Sequence, residues 1–244
     1  MKLKITLAVL TALTIVSCEV LDEAANVITA PTTTTTPALT NSEVISGLKE
    51  ALNVGIQNSV SLTSVTDGFL SNADIRLPFP PDAIKIKEKA LSWGLDEQVS
   101  KIETTLNRAA EEATKEALPI FKDAILNMSL QDGFAILNGG NGAATKFLKD
   151  NTREKLTVAF APKVQEAIAK VKLTDYWNPV ATKYNQAMAI SGGQKIETDL
   201  NKYVTERAID GLFHMVELEE NKIRLDPAAR VTDLLSKVFG SIKQ

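Results

Sequence analysis

The sequence predicts an all-α domain, a bundle of roughly eight to ten short-to-medium helices joined by proline and glycine corners. Three observations carry this. Apolar residues recur every three or four positions in nearly every segment after residue 40. Prolines stand where helices should open, and glycines where they should stop. The one stretch that must be extended, Ile75-Arg76-Leu77-Pro78-Phe79-Pro80-Pro81, finds no convincing strand partner elsewhere.

Taken in order, Thr40-Asn41-Ser42-Glu43 matches a capping box, the threonine accepting from the backbone and the glutamate reaching back. Val44, Leu48, Leu52, Ile56 and Val60 then share one helical face, which should fade near Ser59. Asp67-Gly68 signals a turn, Pro81 can open a helix, and Gly94 can stop it. Asp96 is placed to cap the longest helix, about 97–117, whose stripe is Val99, Ile102, Leu106, Ala109, Ala113 and Ala117. Its other face carries Glu111 and Glu112, expected to be solvated, with Glu111 paired to Lys115. Pro119 should restart the helix, and Ser129 to Asp132 should cap a short one.

The glycine-rich stretch Gly139-Gly140-Asn141-Gly142 comes next. A phosphate loop needs G-x-x-x-x-G-K-[ST] after a strand. Here Lys146 follows Thr145 rather than preceding it, and a helix comes before the glycines. The expected role is a corner: Gly139 stops one helix and Asn141 caps the next, with glycine allowing positive φ between them. Leu130, Phe134 and Leu137 should then face Ala144, Phe147 and Leu148. Asn151-Thr152 and Pro162 each suggest a fresh helix start, and Pro179 another after Tyr176-Trp177-Asn178. Thr205 could cap a helix to about Arg224, and Asp226-Pro227 a final element closed by Leu234, Leu235, Val238 and Phe239 and ended by Gly240.

The N-terminus reads as processing and tethering signals. Lys2 and Lys4 precede an apolar run from Ile5 to Val16, too short to span a bilayer that needs roughly 20 residues. It ends in Ile15-Val16-Ser17-Cys18, which resembles the bacterial lipobox. The domain plan is therefore 1–17 signal peptide, 18–40 lipidated Cys18 and a Thr/Pro tether, and 41–244 all-α domain. Glu19 stands where an inner-membrane retention signal would have aspartate, so the expected location is the cell envelope, with the anchor in the outer membrane.

Composition narrows the chemistry. The formal charge is −3, falling to −5 once Lys2 and Lys4 leave, which argues against nucleic-acid partners. With one cysteine and one histidine, His214, the chain lacks the usual zinc ligand sets, and no cofactor is expected. His214 has Asp210 at i−4, the pairing a catalytic histidine would use, but a position at the edge of the core is the expected state. Glu217, Glu219, Glu220 and Arg224 form the densest charged cluster, with Glu220 and Arg224 at i,i+4. Buried, that pair would be a polar anchor or a ligand contact. His214, Glu220, Arg224 and Asp210 are thus the candidate ligand or anchor cluster, with no catalytic residue assigned.

Several segments together carry a family likeness: Gly47 to Leu52, Asn107 to Glu111, Asp132 to Thr145, Tyr203-Val204-Thr205, Ala208 to Phe213, then Glu220, Ile223-Arg224 and Asp226-Pro227. Their order and spacing resemble the exported bacterial family called domain of unknown function 4197, over about residues 41–240. The resemblance implies a helical fold and no catalytic residues.

The expected role is a non-catalytic binding or structural module of the envelope, held to the membrane by acylated Cys18 and meeting a protein partner there. The alternative is a carrier of a lipid or other hydrophobic small molecule in an apolar cavity between helices. A carboxylate-based hydrolase is disfavoured.

Overall fold

The computed structural model describes residues 40–170 and 199–241, and between them Trp177, Thr182, Asn185, Gln186 and 188–193. The anchor and tether, and the corner at Tyr176 to Pro179 apart from Trp177, lie outside the described residues. Among those described there are eight α-helices, two short 3-10 turns and no strand. The all-α expectation holds.

Helix α1 (Asn41–Thr63) opens on the capping box: the Glu43 N–H donates to Thr40 Oγ1 at 3.2 Å, and the Thr40 N–H to Glu43 Oε2 at 2.8 Å. The Thr40 N–H, and after it the Thr40 hydroxyl donating to the same oxygen at 2.8 Å, hold the Glu43 carboxyl below its usual range. Their contribution to stability is present at neutral pH and is lost as pH falls through that lowered value. Helix α1 does not fade at Ser59. Ser59 Oγ donates to Gly55 O and Thr63 Oγ1 to Ser59 O, so both hydroxyls are satisfied inside the buried face.

A strap then runs from Ser64 to Pro80. It turns at Asp67 (φ 69°) and Gly68, where a Cβ would meet the Leu62 carbonyl oxygen at 2.4 Å. Only glycine fits there. Phe69, Ile75, Leu77 and Phe79 are all buried, so the strap supplies core without belonging to a helix. Much of its backbone pairing comes from side chains of α3 (Asp96–Thr114). The Leu77 N–H donates to Asn107 Oδ1 at 2.8 Å, and Asn107 Nδ2 donates to Leu77 O at 2.9 Å. Asn107 stands where a neighbouring strand would. One helical turn on, Glu111 Oε1 accepts from the N–H groups of Phe69 and Leu70. Glu111 Oε2 accepts from Arg108, whose other nitrogen reaches Asp67.

Glu111 is therefore a buried anchor, not part of a solvated face, and Lys115 pairs with Glu112 instead. Asp96 is the first helical residue of α3 rather than its cap, and Leu95 before it makes no side-chain cap bond. Ala109, Ala110, Ala113 and Ala117 have no exposed surface, which lets neighbouring helices approach closely.

Before α3, the 3-10 turn Pro81–Ala83 leads into α2 (Ile84–Ser92), stopped at Gly94 with φ 75°. After it come α4 (Ala117–Leu126), with Pro119 in its first turn, and α5 (Leu130–Asn138), with a Ser129/Asp132 capping box. Helix α6 (Ala143–Lys170) is one helix of 28 residues, against the expected breaks. Asn151 and Thr152 bond back to the carbonyls of Phe147 and Leu148. Pro162 is inside the helix because Leu156, Phe160, Val164 and Ile168 hold one continuous buried face across it. That packing outweighs the missing hydrogen bond.

Helix α7 (Leu200–Leu225) starts earlier than Thr205. Asp199 caps it by accepting from the Lys202 N–H, and Thr205 is buried within it. Asp226 caps the turn Pro227–Ala229 as expected, and α8 (Asp233–Ser241) buries Leu235, Val238 and Phe239 and runs through Gly240. Helix α7 is central, packed on α1, α3 and α6. The Phe121 and Phe213 rings meet edge to face at 5.7 Å beneath it.

Candidate functional site

Any helix start leaves N–H groups unpaired and carries a partial positive charge, and the preceding helix end carries exposed carbonyls and a partial negative charge. The turn between α5 and α6 brings one of each together. Such a start is an anion site unless the protein fills it. Here it does.

Glu220, about one and a half turns from the end of α7, presents its buried carboxylate to the start of α6. The Ala144 N–H donates to Oε1 at 2.9 Å, and the Thr145 N–H and hydroxyl both donate to Oε2 at 2.8 Å. Arg224, one turn later, closes on the same carboxylate, Nε to Oε1 at 3.0 Å. Its Nη2 donates to the Ile136 carbonyl at 2.8 Å, at the end of α5. Each charge thus faces the helix end of opposite sign. With side chains 7% and 9% exposed, the pair is a buried clamp across the turn, not a surface ion pair. Phe239 of α8 covers it, its ring centre 6.0 Å from Arg224 Cζ. Arg230 closes the far side by donating to the carbonyls of Ile223 and Arg224.

This corrects the corner as read from sequence. The first-turn amides of Ala144 and Thr145 go to Glu220, not to Asn141. Gly139 has φ −78°, and positive φ falls on Gly140 (73°) and Gly142 (75°). Gly139 is needed for space, since a Cβ there would sit 2.7 Å from Ala143 Cβ and 2.8 Å from Ala135 O. Leu137, Ala144 and Leu148 are buried across the turn, but Leu130 is 56% exposed. Gly140→Ala meets nothing within 4 Å, so its expected cost is the left-handed backbone alone. That is about 1 kcal/mol, measurable by urea unfolding. Gly139→Val should cost more, and a smaller loss than Gly140→Ala would refute this assignment.

The four candidate residues do not form one cluster. Glu220 and Arg224 are in the clamp. Asp210 accepts from Arg153 Nη1 of α6 at 2.7 Å, and is committed there rather than to His214. His214 is exposed, not at the core edge, because it lies on the outer face of α7 between buried Phe213 and Met215. His214 and Asp210 line an open surface cleft of about 490 Å3, shared with Lys149 and Glu217. Among the described residues no group of three or more His, Cys, Asp or Glu could hold a metal ion. No helix among them is long and apolar enough to cross a membrane.

A small cavity adjoins the clamp between α1, α7 and α8, lined by Leu52, Ile56, Val216, Ile223 and Phe239. Its volume of about 20 Å3 takes one water and no acyl chain.

Asn107 and Glu111 are the polar anchors that sequence reasoning missed. The signal was present: Asn107, Glu111 and Thr114 fall at steps of four and three, a second stripe beside the alanines. All three are buried.

Fold and geometry define an all-α module whose buried charges serve as internal caps. The chain belongs to the family described as "Protein of unknown function (DUF4197)", whose model matches residues 38–240. No curated protein and no solved structure matches it.

Proposed function

We propose that the protein is a lipid-anchored module of the bacterial cell envelope, acting by non-covalent association rather than catalysis. The observation that carries the anchored half is where the domain starts. The family match begins at residue 38 and Thr40 caps α1 directly, so the preceding segment is additional to the domain. That segment holds Lys2, Lys4, the short apolar run and Ser17-Cys18. Two or three acyl chains on Cys18 give stable anchoring, since one chain alone binds only marginally. Glu19 favours the outer membrane.

The non-catalytic half rests on the two buried carboxylates among the described residues, Glu111 and Glu220. Both oxygens of each accept bonds from the protein itself. A catalytic acid or base needs a lone pair or proton aimed at a substrate, and these are aimed at backbone amides and at the side chains of Arg108, Thr145 and Arg224.

The expected result is that radiolabelled palmitate enters the wild-type protein and not Cys18→Ala. Equal labelling of both refutes the anchor.

A further inference from the structure

The contacts give the domain two distinct ends. Helices α1 and α7 run antiparallel: Asn58 of α1 donates to Glu219 Oε2 of α7 at 2.8 Å, while Gly47 lies against Val238 and Leu234 of α8. The strap then follows α7 back toward its start, past Gly211 beside Phe69 and on to Tyr203, whose hydroxyl donates to Pro78 O. Glu219 to Tyr203 is about 24 Å of helix. Helix α3 returns along the strap, with Asn107 at Leu77 and Glu111 at Phe69. Leu95, just before α3, therefore belongs to the end remote from Thr40.

The α4–α5 corner belongs to the other end. Lys49 Nζ donates to Leu126 O at 2.9 Å, and a Cβ on Gly133 would lie 2.1 Å from Ile45 Cδ1. Lys49 is about 14 Å along α1 from Thr40. At this corner two leucines are turned to solvent, Leu126 73% exposed and Leu130 56% exposed. Lys122, one turn before Leu126, is exposed as well.

We propose that this corner rests on the phospholipid bilayer that carries the anchor, with Leu126 and Leu130 seated at the headgroup–acyl boundary. The proposal rests on the anchored reading of Cys18. The 22 residues from 19 to 40 separate the acylated residue from the fold. A chain of that length has a root-mean-square span of about 25 Å, more than the distance of about 14 Å along α1 from Thr40 to Lys49 at the corner. Held so close, the corner meets lipid at an effective concentration near millimolar, where even two leucines suffice for contact. Lys122 places a cation at the height of the lipid phosphates. The remote end, with Trp93 and Leu95, would then face away from the bilayer.

The test uses the mature lipoprotein in vesicles of phosphatidylethanolamine and phosphatidylglycerol. With Cys18 acylated, an introduced cysteine is the only free thiol. Leu126→Cys, Leu130→Cys and Leu95→Cys are each labelled with an environment-sensitive fluorophore. The expected result is blue-shifted emission at 126 and 130, quenched several-fold by bromine-labelled acyl chains, with the label at 95 unmoved. Water-like emission at both 126 and 130, or quenching at 95, overturns the proposal. Mass spectrometry of the same preparation reads Cys18 separately. A missing acyl group there overturns the anchored reading, and the bilayer contact with it.

Discussion

Glu220→Ala is expected to lower unfolding free energy by about 3–5 kcal/mol, the largest effect of any single side chain in the clamp. The substitution leaves Arg224 buried without its counter-charge and frees the amides of Ala144 and Thr145 in a place water does not reach. For a domain of this size the melting temperature should fall by about 10 °C. Arg224→Met should cost less. The carboxylate it abandons keeps two amides and a hydroxyl and still sits at the positive end of α6. The principal loss is then the Ile136 carbonyl and the packing on Phe239. The double variant should be more stable than the sum of the two losses by 1 kcal/mol or more, because once one charge is gone the other is a liability. Losses that add within about 0.5 kcal/mol would show that the two side chains are not acting as one unit.

The second large effect is expected at Asn107. Asn107→Leu keeps the branched shape and removes both partners of Leu77, leaving a buried N–H and a buried carbonyl unpaired. At about 1–3 kcal/mol each, a loss near 3 kcal/mol should follow. Asn107→Asp retains an acceptor for the Leu77 N–H but sets a carboxylate against the carbonyls of Leu77 and Glu103. That carboxyl should have a raised folded-state pKa, so this variant alone should gain stability as pH falls from neutral toward 5, read by chemical denaturation across that range. An unfolding midpoint for Asn107→Leu equal to that of the wild type would mean the strap is held by its apolar residues alone.

Local features were legible in the sequence, and features joining distant segments were not. The capping boxes at Thr40/Glu43 and Ser129/Asp132 and the cap at Asp226 each lie within four residues, so residue type and spacing are the whole signal. Glu220 and Arg224 stood out as a pair for the same reason. What they bind did not: Thr145 is 75 residues from Glu220, and Phe69 is 42 from Glu111. Pro162 and Thr205 misled because each fits a helix start locally, while the buried faces of α6 and α7 run straight through them. Burial against neighbouring helices decided those cases, and propensity did not.

The glycine turn looked like a phosphate loop because the same physics serves both uses. Backbone amides at a helix start will take any well-placed anion. In this chain the anion is Glu220, so there is no vacancy for a phosphate among those amides. Amide hydrogen exchange at Ala144 and Thr145 tests this most directly. Both amides should exchange slowly in the purified protein, at rates set by opening of the core, and adding millimolar inorganic phosphate or ATP should leave them unchanged. Rapid exchange that phosphate or ATP slows would contradict the clamp and restore the turn as an anion site.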